Sequence, residues 1–452
     1  DTLRTIRGNH ISYIFQEPMT ALNPLMSCGN QVLEALKLKE KEKVYALFEQ
    51  VQLPDPERIY NSYPHQISGG QRQRVMIAMA IANNPAVLIA DEPTTALDAS
   101  VQNAILTLLI DLCEQRNMAL VFISHDLNLV KKLAEHVTVM YKGEIVEQGL
   151  TKQIFDSPQH EYTRALLAIA PTFELKGNYL PTLQHILENK AAPPGKWPMA
   201  KGAKDEHLFA IDNLEKSFGN KKKSNTVINQ VSFEVSAGET LGIVGESGCG
   251  KSTLAKILVK LHTANGGTLQ FKGKSIYDMG IAYRREVQMI FQDPYSSLNP
   301  KLKAGEALIE PMLVHKLYKN KKECKEKAMA LLHDVGLNED FYERYPHEMS
   351  GGQRQRLCIA RALSVNPEVI ICDESVSALD VSVQAQILNL LKQLQMDKGL
   401  TYLFISHDLN VVAYMSDRIM VLNKGEIAEL SDTELVLKNP NNDYTKQLLS
   451  YL

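Results

Sequence analysis

An internal repeat constrains this sequence more than any other feature. The segment from Tyr63 to Arg74 reads Tyr-Pro-His-Gln-Ile-Ser-Gly-Gly-Gln-Arg-Gln-Arg, and it returns 282 residues later with two changes. Four further segments recur at the same spacing: Asp91-Glu92 with Asp373-Glu374, Ile123–Asp126 with Ile405–Asp408, Lys142–Glu144 with Lys424–Glu426, and Tyr162-Thr163 with Tyr444-Thr445. Ordered matches at one spacing indicate that one type of domain occurs twice in the chain.

The repeat also suggests domain boundaries. Near the start the spacing falls to 276, which relates Phe15-Gln16 to Phe291-Gln292, and the second copy begins about 70 residues before the position that aligns with Asp1. We therefore expect Asp1 to lie inside a longer protein and the first copy to lack its N-terminal part. We expect the first domain at residues 1–171, the second at 207–452, and a linker at 172–206, because the stretch at 191–198 is rich in proline.

Composition excludes several classes of protein. Of the 452 residues, 44% are hydrophobic and 22% charged, which is typical of globular domains. No apolar run approaches the ~20 residues that span a bilayer, so a membrane role would need a partner. The net charge of -3 argues against a general nucleic-acid binder. The six cysteines contain no Cys-x-x-Cys pair, which fits a reducing compartment.

Apolar runs alternate with helical patterns along both copies. Runs at 87–90, 120–123, 240–244, 369–372 and 402–405 have the length of buried strands, and amphipathic segments at 101–112 and 383–394 have the spacing of helices. Buried strands separated by helices predict an α/β fold with a mostly parallel sheet covered on both faces.

Residues 245–252 read Gly-Glu-Ser-Gly-Cys-Gly-Lys-Ser, the pattern of a phosphate-binding loop, between a predicted strand and a predicted helix. Such glycines let backbone N–H groups surround a polyphosphate, and the helix N-terminus adds positive potential. We expect Lys251 to reach the β- and γ-phosphates and Ser252 to bind Mg²⁺. The expected nucleotide-binding set is Gly245, Glu246, Ser247, Gly248, Cys249, Gly250, Lys251, Ser252 and Thr253. A plain glycine-rich turn is the alternative.

Cys249 lies inside this loop, close to the predicted helix N-terminus. That position favours a thiolate, so we expect alkylation of Cys249 to block ATP hydrolysis and ATP to protect it. The alternative is a small packing residue.

Polar residues that follow predicted strands complete a candidate catalytic set. Asp91 and Asp373 are expected to hold Mg²⁺, and Glu92 and Glu374 to orient or deprotonate the attacking water. The histidines and glutamines that follow neighbouring strands should share the carboxyl edge of the sheet, where ligands bind. His125 and His407 are expected to contact the γ-phosphate, and Gln16 and Gln292 to contact Mg²⁺ and the water. Taken singly, an acidic pair at a strand end is as often solvated or helix-capping, a lone histidine there is more often structural or exposed than catalytic, and a lone glutamine indicates nothing.

A Ser-Gly-Gly-Gln segment precedes a predicted helix in each copy. The residues are Ser68, Gly69, Gly70 and Gln71 in the first copy and Ser350, Gly351, Gly352 and Gln353 in the second. Serine is a common N-cap, so an ordinary helix start is one interpretation. The exposed N–H groups also suit an anion, and a second phosphate-facing helix makes sense if each copy completes the other's site.

Together these motifs resemble the ATP-binding subunits of ABC transporters over nearly the whole chain. The loop at 245–252 is similar to Walker A, Asp373-Glu374 to Walker B with its catalytic glutamate, Gln292 to the Q-loop, and His125 and His407 to the switch histidines. The two Ser-Gly-Gly-Gln segments, each with the residue before it (67–71 and 349–353), resemble the family's signature motif. Segments 96–98 and 378–380 resemble D-loops, and Phe218 stands where the family places an aromatic that stacks on adenine, a core phenylalanine being the alternative. The resemblance implies two P-loop domains, each a RecA-like sheet with a helical subdomain.

Segments 15–24, 157–163, 291–300 and 439–445 resemble the oligopeptide, dipeptide and nickel importers within that family. Two copies without a cysteine cluster are most similar to the microcin C and peptide importers, with glutathione and nickel importers as alternatives. A soluble ABC translation factor is disfavoured by the proline-rich linker and the charge.

The resemblance implies an ATPase that uses ATP and Mg²⁺ to drive import into bacteria. Its partners would be two transmembrane permeases and a substrate-binding protein, with no nucleic acid, at the cytoplasmic side of the inner membrane. Two copies would close head-to-tail on ATP, with one complete site formed by the loop at 245–253 and the segment at 68–71. We therefore expect the given chain to bind one ATP tightly.

Overall fold

The computed structural model describes residues 5–16, 18–37, 39–94, 99–188, 196–197, 207–220, 223–377 and 379–450. The predicted D-loop at 96–98, Ala378 and most of the proline-rich stretch lie outside these ranges. The chain divides into two compact units, Asp1–Thr163 and Arg164–Leu452.

Fifteen strands are numbered in chain order within the described ranges. They are β1 Ile11–Ile14, β2 Val87–Asp91, β3 Ala119–Ile123, β4 His136–Tyr141, β5 Glu144–Leu150, β6 His207–Asn220, β7 Lys223–Ser236, β8 Thr240–Val244, β9 Gly266–Phe271, β10 Lys274–Ser275, β11 Val287–Ile290, β12 Val369–Asp373, β13 Thr401–Ile405, β14 Arg418–Asn423 and β15 Glu426–Asp432.

The α-helices of the same ranges are numbered likewise. They are α1 Pro18–Ala21, α2 Cys28–Ala35, α3 Lys41–Gln50, α4 Pro56–Asn61, α5 Gly69–Ile81, α6 Ala99–Arg116, α7 Leu127–Leu133, α8 Thr151–Asp156, α9 Glu161–Ala168, α10 Leu183–Leu187, α11 Lys251–Leu258, α12 Ile281–Glu286, α13 Pro294–Ser297, α14 Ala304–Val314, α15 Lys321–Asp334, α16 Gly351–Leu363, α17 Val381–Lys398, α18 Leu409–Met415, α19 Thr433–Lys438 and α20 Asp443–Leu449. Within the described ranges, no helix is long and apolar enough to cross a membrane.

The second unit is built on a six-stranded sheet with the order β11-β12-β13-β8-β14-β15. All neighbouring pairs are parallel except the last, in which β15 runs antiparallel to β14. Strands β8, β12 and β13 are buried along their whole length, as expected for strands covered on both faces. A four-stranded antiparallel sheet, β10-β9-β6-β7, accompanies it. The predicted α/β fold with a mostly parallel sheet is confirmed.

The first unit repeats part of this arrangement. Its strands form a parallel sheet in the order β1-β2-β3 and a separate antiparallel pair of β4 with β5. Val121 and Ile123 of β3 are 48% and 44% exposed, whereas their counterparts Leu403 and Ile405 are fully buried. The difference arises because Leu403 and Ile405 lie in a core with residues of β6, β7, β9 and α11, and the described residues of the first unit contain no counterpart of that layer.

The helical part of each unit contains the same kind of close contact between a glycine and a tyrosine ring. A Cβ at Gly29 would overlap the ring of Tyr60, and a Cβ at Gly305 would overlap the ring of Tyr342 in the same way. Each glycine therefore lets a helix approach a tyrosine ring more closely than alanine would permit. These contacts lie beside α5 and α16, the two helices that follow the Ser-Gly-Gly-Gln segments.

Candidate active site

The phosphate loop connects β8 to α11, as the sequence predicts. Gly248 and Gly250 have φ values of 80° and 113°, which glycine adopts without strain. A Cβ at Gly250 would also collide with Ile228 and with the carbonyl oxygen of Val227. The loop therefore needs glycine for its conformation and for its fit against β7.

The side chain of Lys251 lies inside this loop. Its Nζ donates to the carbonyl oxygens of Gly245 at 2.6 Å and Glu246 at 2.9 Å, and the residue is only 6% exposed. These carbonyls hold a positive charge at the centre of the loop. A phosphate oxygen that replaced one of them would gain a charge-assisted hydrogen bond.

Ser252 and Asp373 meet at the end of the central strands. The Ser252 hydroxyl donates to Oδ1 of Asp373 at 3.0 Å, and burial raises the pKa of that carboxyl. A hydroxyl and a carboxylate are the hard oxygen ligands that Mg²⁺ takes from proteins, the remaining positions being filled by water and phosphate. The two residues therefore fit the predicted magnesium site.

Glu374 is the centre of a three-residue cluster at the same edge. It accepts a hydrogen bond from Nε2 of Gln292 at 2.7 Å, and its Oε2 lies 3.6 Å from Nδ1 of His407. Burial opposes ionisation of Glu374, but contact with His407 brings its pKa below the usual value. Burial likewise disfavours the imidazolium, and the charge of Glu374 nevertheless raises the pKa of His407. The cluster thus favours a carboxylate beside a cation.

The first unit contains the same cluster. Gln16 donates to Oε2 of Glu92 at 2.6 Å, and Nδ1 of His125 lies 2.8 Å from Oε1 of Glu92. The neighbouring Asp91 accepts a hydrogen bond of 2.5 Å from the hydroxyl of Tyr13. The structure therefore brings together, in each unit, the glutamine, glutamate and histidine that the sequence grouped from separate motifs.

Helices α5 and α16 both begin directly after the signature serine. Oγ of Ser68 accepts from the backbone N–H of Gln71 at 3.3 Å, and Oε1 of Gln71 accepts from the backbone N–H of Ser68 at 3.1 Å. Ser350 and Gln353 form the same capping box. Both glutamines are thus engaged in the caps, and the binding role predicted for these segments stays a prediction.

The expected thiolate at Cys249 is wrong. Its side chain is 5% exposed, and burial raises the pKa of the thiol more than the neighbouring Lys251 lowers it. The apolar surroundings of the loop outweigh the helix N-terminus, because a buried thiolate loses its hydration. The alternative interpretation, a small packing residue, agrees with this burial.

Phe218 lies at the surface rather than in the core. It is 39% exposed, Nζ of Lys216 lies 4.9 Å from the centre of its ring, and the ring of His262 meets it edge-on at 5.4 Å. The core alternative considered for Phe218 does not apply. Its stacking on adenine stays a prediction.

Tyr444 and Tyr13 contact residues of the candidate site, and the sequence motifs indicate neither contact. The hydroxyl of Tyr444, on α20, accepts a hydrogen bond of 3.1 Å from the backbone N–H of Glu246 in the phosphate loop. The repeated Tyr-Thr pair was a signal for Tyr444, although it gave no indication of this partner. Nothing in the repeat marks Tyr13, because the second copy has Met289 at that position.

Comparison with known proteins identifies the family of this chain. The sequence pattern of the ABC transporter family matches residues 2–95 and 228–377, and that of the oligopeptide/dipeptide transporter C-terminal region matches residues 146–196. The glutathione import ATP-binding protein GsiA of Escherichia coli O157:H7 is 46% identical over 99% of this chain and 75% of the relative. The protein of the same name from Pectobacterium atrosepticum is 43% identical over the same shares.

Among solved structures, a dimeric ATP-binding cassette in a post-hydrolysis state with ADP and Pi is 30% identical. The match covers 50% of this chain and 99% of the chain in that structure, with a TM-score of 0.47.

The chain belongs to the ABC transporter family of ATP-binding proteins, and it is an ATPase coupled to transport. Within that family it is an importer ATPase of the oligopeptide/dipeptide type. The resemblance recognised from the motifs is confirmed at this level.

Proposed function

We propose that the chain is the motor subunit of a bacterial importer for short peptides or peptide-like compounds. The match at 146–196 supports a peptide cargo, and relatives named for glutathione import are 46% identical over 99% of the chain. The sequence motifs alone favour microcin C and peptide importers. The relatives make the tripeptide glutathione the first cargo to test, ahead of microcin C and nickel.

The observation that carries the proposed chemistry is the Glu374 cluster next to the phosphate loop. Glu374 stays ionised, so it can accept a hydrogen bond from a water and take its proton as the water attacks the γ-phosphorus. His407 can neutralise charge on the γ-phosphate. Nε2 of Gln292 donates to Glu374, so its Oε1 would serve Mg²⁺ and the attacking water while that bond is kept.

Ser252 and Asp373 would hold Mg²⁺ in the second unit, and Asp91 would serve in the first. The ion would neutralise charge on the β- and γ-phosphates. Lys251 would exchange its two loop carbonyls for phosphate oxygens.

The partners would be two permeases and a substrate-binding protein, at the cytoplasmic face of the plasma membrane. The segments that follow the Q-loop glutamines, 29–61 and 304–344, are the proposed docking surfaces for the permeases. Leu313 and Val314, 43% and 59% exposed, support an apolar contact there.

Reconstitution tests the cargo. The chain would be co-expressed with its candidate permeases and reconstituted with them in liposomes. ATP hydrolysis would then be measured with the binding protein loaded with glutathione, with tri-alanine, with Ni²⁺ or with nothing. We expect stimulation by glutathione, and Glu374→Gln in the same liposomes gives the background. Stimulation by tri-alanine alone would retain the peptide class and reject glutathione. Stimulation by Ni²⁺ alone would reject the peptide class.

A further inference from the structure

Residues 172–188 with Lys196 and Trp197, here named the strap, pack on the second unit. The sequence assigns them to the linker between the copies, but they lie within the unit Arg164–Leu452. Leu180 is completely buried in the main hydrophobic core of that unit. The described part of the strap therefore has a defined binding site on α17 and α18.

Asn389 of α17 forms hydrogen bonds with both backbone polar groups of one strap residue, Leu180. Its Oδ1 accepts from the N–H of Leu180 at 3.0 Å, and its Nδ2 donates to the carbonyl oxygen of Leu180 at 2.8 Å. All of these atoms are buried, so loss of the amide would leave two backbone groups without partners.

Tyr414 of α18 makes the second attachment. Its hydroxyl donates to the carbonyl oxygen of Asn178 at 2.8 Å and accepts from Nε1 of Trp197 at 3.2 Å. Trp197 in turn donates its backbone N–H to Gly177 at 2.8 Å, and its ring lies 5.1 Å from that of Tyr179. One buried hydroxyl therefore joins two separate parts of the strap.

Helix α18 connects this attachment to the active site. It begins two residues after His407, and Asp408 caps it. Its opposite face packs so closely on β8 that a Cβ at Gly242 would collide with Val412 and Ser416. Because β8 leads into the phosphate loop, α18 is held between the strand that carries the loop and the strap.

The first copy lacks both attachment residues. At the positions of Asn389 and Tyr414 it has Thr107 and Lys132, although it keeps His125 at the position of His407. Duplication preserved the catalytic histidine without the residues that bind the strap. This difference indicates that strap binding is a specific property of the second unit.

We propose that the strap fixes α18 against β8 and thereby positions His407 for ATP hydrolysis, with Asn389 and Tyr414 as positioning residues. The inference rests on the function proposed above for His407. Misplacement of a catalytic group by about 1 Å can lower the rate on the order of 100-fold, even when the mutation lies far from the reacting atoms.

Trp197 is the single tryptophan of the chain, so its fluorescence reports on the strap directly. Tyr414→Phe and Asn389→Ala should shift its emission to the red and increase its quenching by acrylamide. We expect kcat for ATP hydrolysis to fall about 10-fold in each variant while KM changes less than about twofold. Tyr402→Phe is the matched control, because it removes another buried hydroxyl bond, to Leu391, without touching the strap.

Tyr179→Ala changes a half-buried residue of the strap, outside the main core and outside both helices, and removes its ring contact with Trp197. It should reproduce the loss of kcat if Asn389→Ala or Tyr414→Phe fails to fold. The proposal would be overturned if Trp197 becomes exposed in the strap variants while kcat stays at the wild-type value. Unchanged Trp197 fluorescence in all three strap variants would overturn it as well. His407→Ala separates the two hypotheses. Normal hydrolysis by His407→Ala would reject the proposed role of His407. If His407→Ala is inactive but the strap variants keep a normal kcat, only the positioning role of the strap is rejected.

Discussion

Glu374 and Glu92 occupy a backbone conformation that is unusual for glutamate. Their φ values are 48° and 45°. Each backbone N–H donates a hydrogen bond of 2.9 Å to the last residue of the strand before the histidine of its own unit, Glu374 to Ile405 and Glu92 to Ile123. Strain of this kind persists where the surroundings fix a functional side chain. In both units it turns the carboxylate towards the glutamine and the histidine.

Glu374→Gln should abolish hydrolysis without loss of ATP binding. The amide has nearly the same shape but accepts no proton, so we expect kcat to fall at least about 100-fold. ATP affinity measured by calorimetry should stay close to that of the wild type. Glu92→Gln is the matched variant in the first unit, and near-normal hydrolysis by Glu374→Gln would contradict the assignment.

The His407–Glu374 contact should make stability depend on pH. The pKa of His407 is higher in the folded than in the unfolded chain. Its contribution to the free energy of unfolding is therefore fully present below the unfolded pKa and disappears as the pH rises through the folded pKa. His407→Gln should therefore destabilise the nucleotide-free second unit more at about pH 5.5 than at about pH 9. Urea unfolding followed by Trp197 fluorescence measures this difference, and an equal loss at both pH values would argue against a charged pair.

At the scale of elements, local sequence predicted the strand, loop and helix around Lys251 because each step depends on near neighbours. The sequence also placed His407 and Glu374 at one sheet edge, since parallel strands end together. It could not predict that Tyr444 reaches Glu246, or that Asn389 binds Leu180. Those contacts join residues 198 and 209 positions apart, and only the packing of helices on the sheet brings them together.

Tyr444→Phe tests whether α20 supports the phosphate loop. Loss of the hydroxyl removes the acceptor for the Glu246 N–H, and a hydrogen bond of this type contributes about 1 kcal/mol, or roughly fivefold in affinity. We expect the Kd for ATP to rise by that factor in calorimetry. Tyr162→Phe is the matched control in the first unit, where the ring stacks on Tyr141. Equal effects of both substitutions would assign the loss to general destabilisation.

At the scale of the whole molecule, the two units differ in one decisive respect. Both have the glutamine, glutamate and histidine cluster, but the given sequence contains a single phosphate-loop motif, at 245–252. The repeat and the resemblance to ABC ATPases predict that the signature segment of one copy completes the nucleotide site of the other. Sequence alone supplies this expectation, because each unit's own contacts define only its half of such a site.

Substitution of the two signature serines tests this expectation. Ser68→Arg places a bulky cation at the start of α5, and we expect it to abolish hydrolysis by residues 1–452 while one ATP still binds at the loop containing Lys251. Ser350→Arg makes the same change at α16, and it should leave most of the hydrolysis, because its partner site has no phosphate loop in this sequence. Both helices begin with the same capping box, so each variant removes the same type of cap from its own unit. Calorimetry that gave two tight ATP sites, or equal loss of hydrolysis in both variants, would reject a single complete site in this chain.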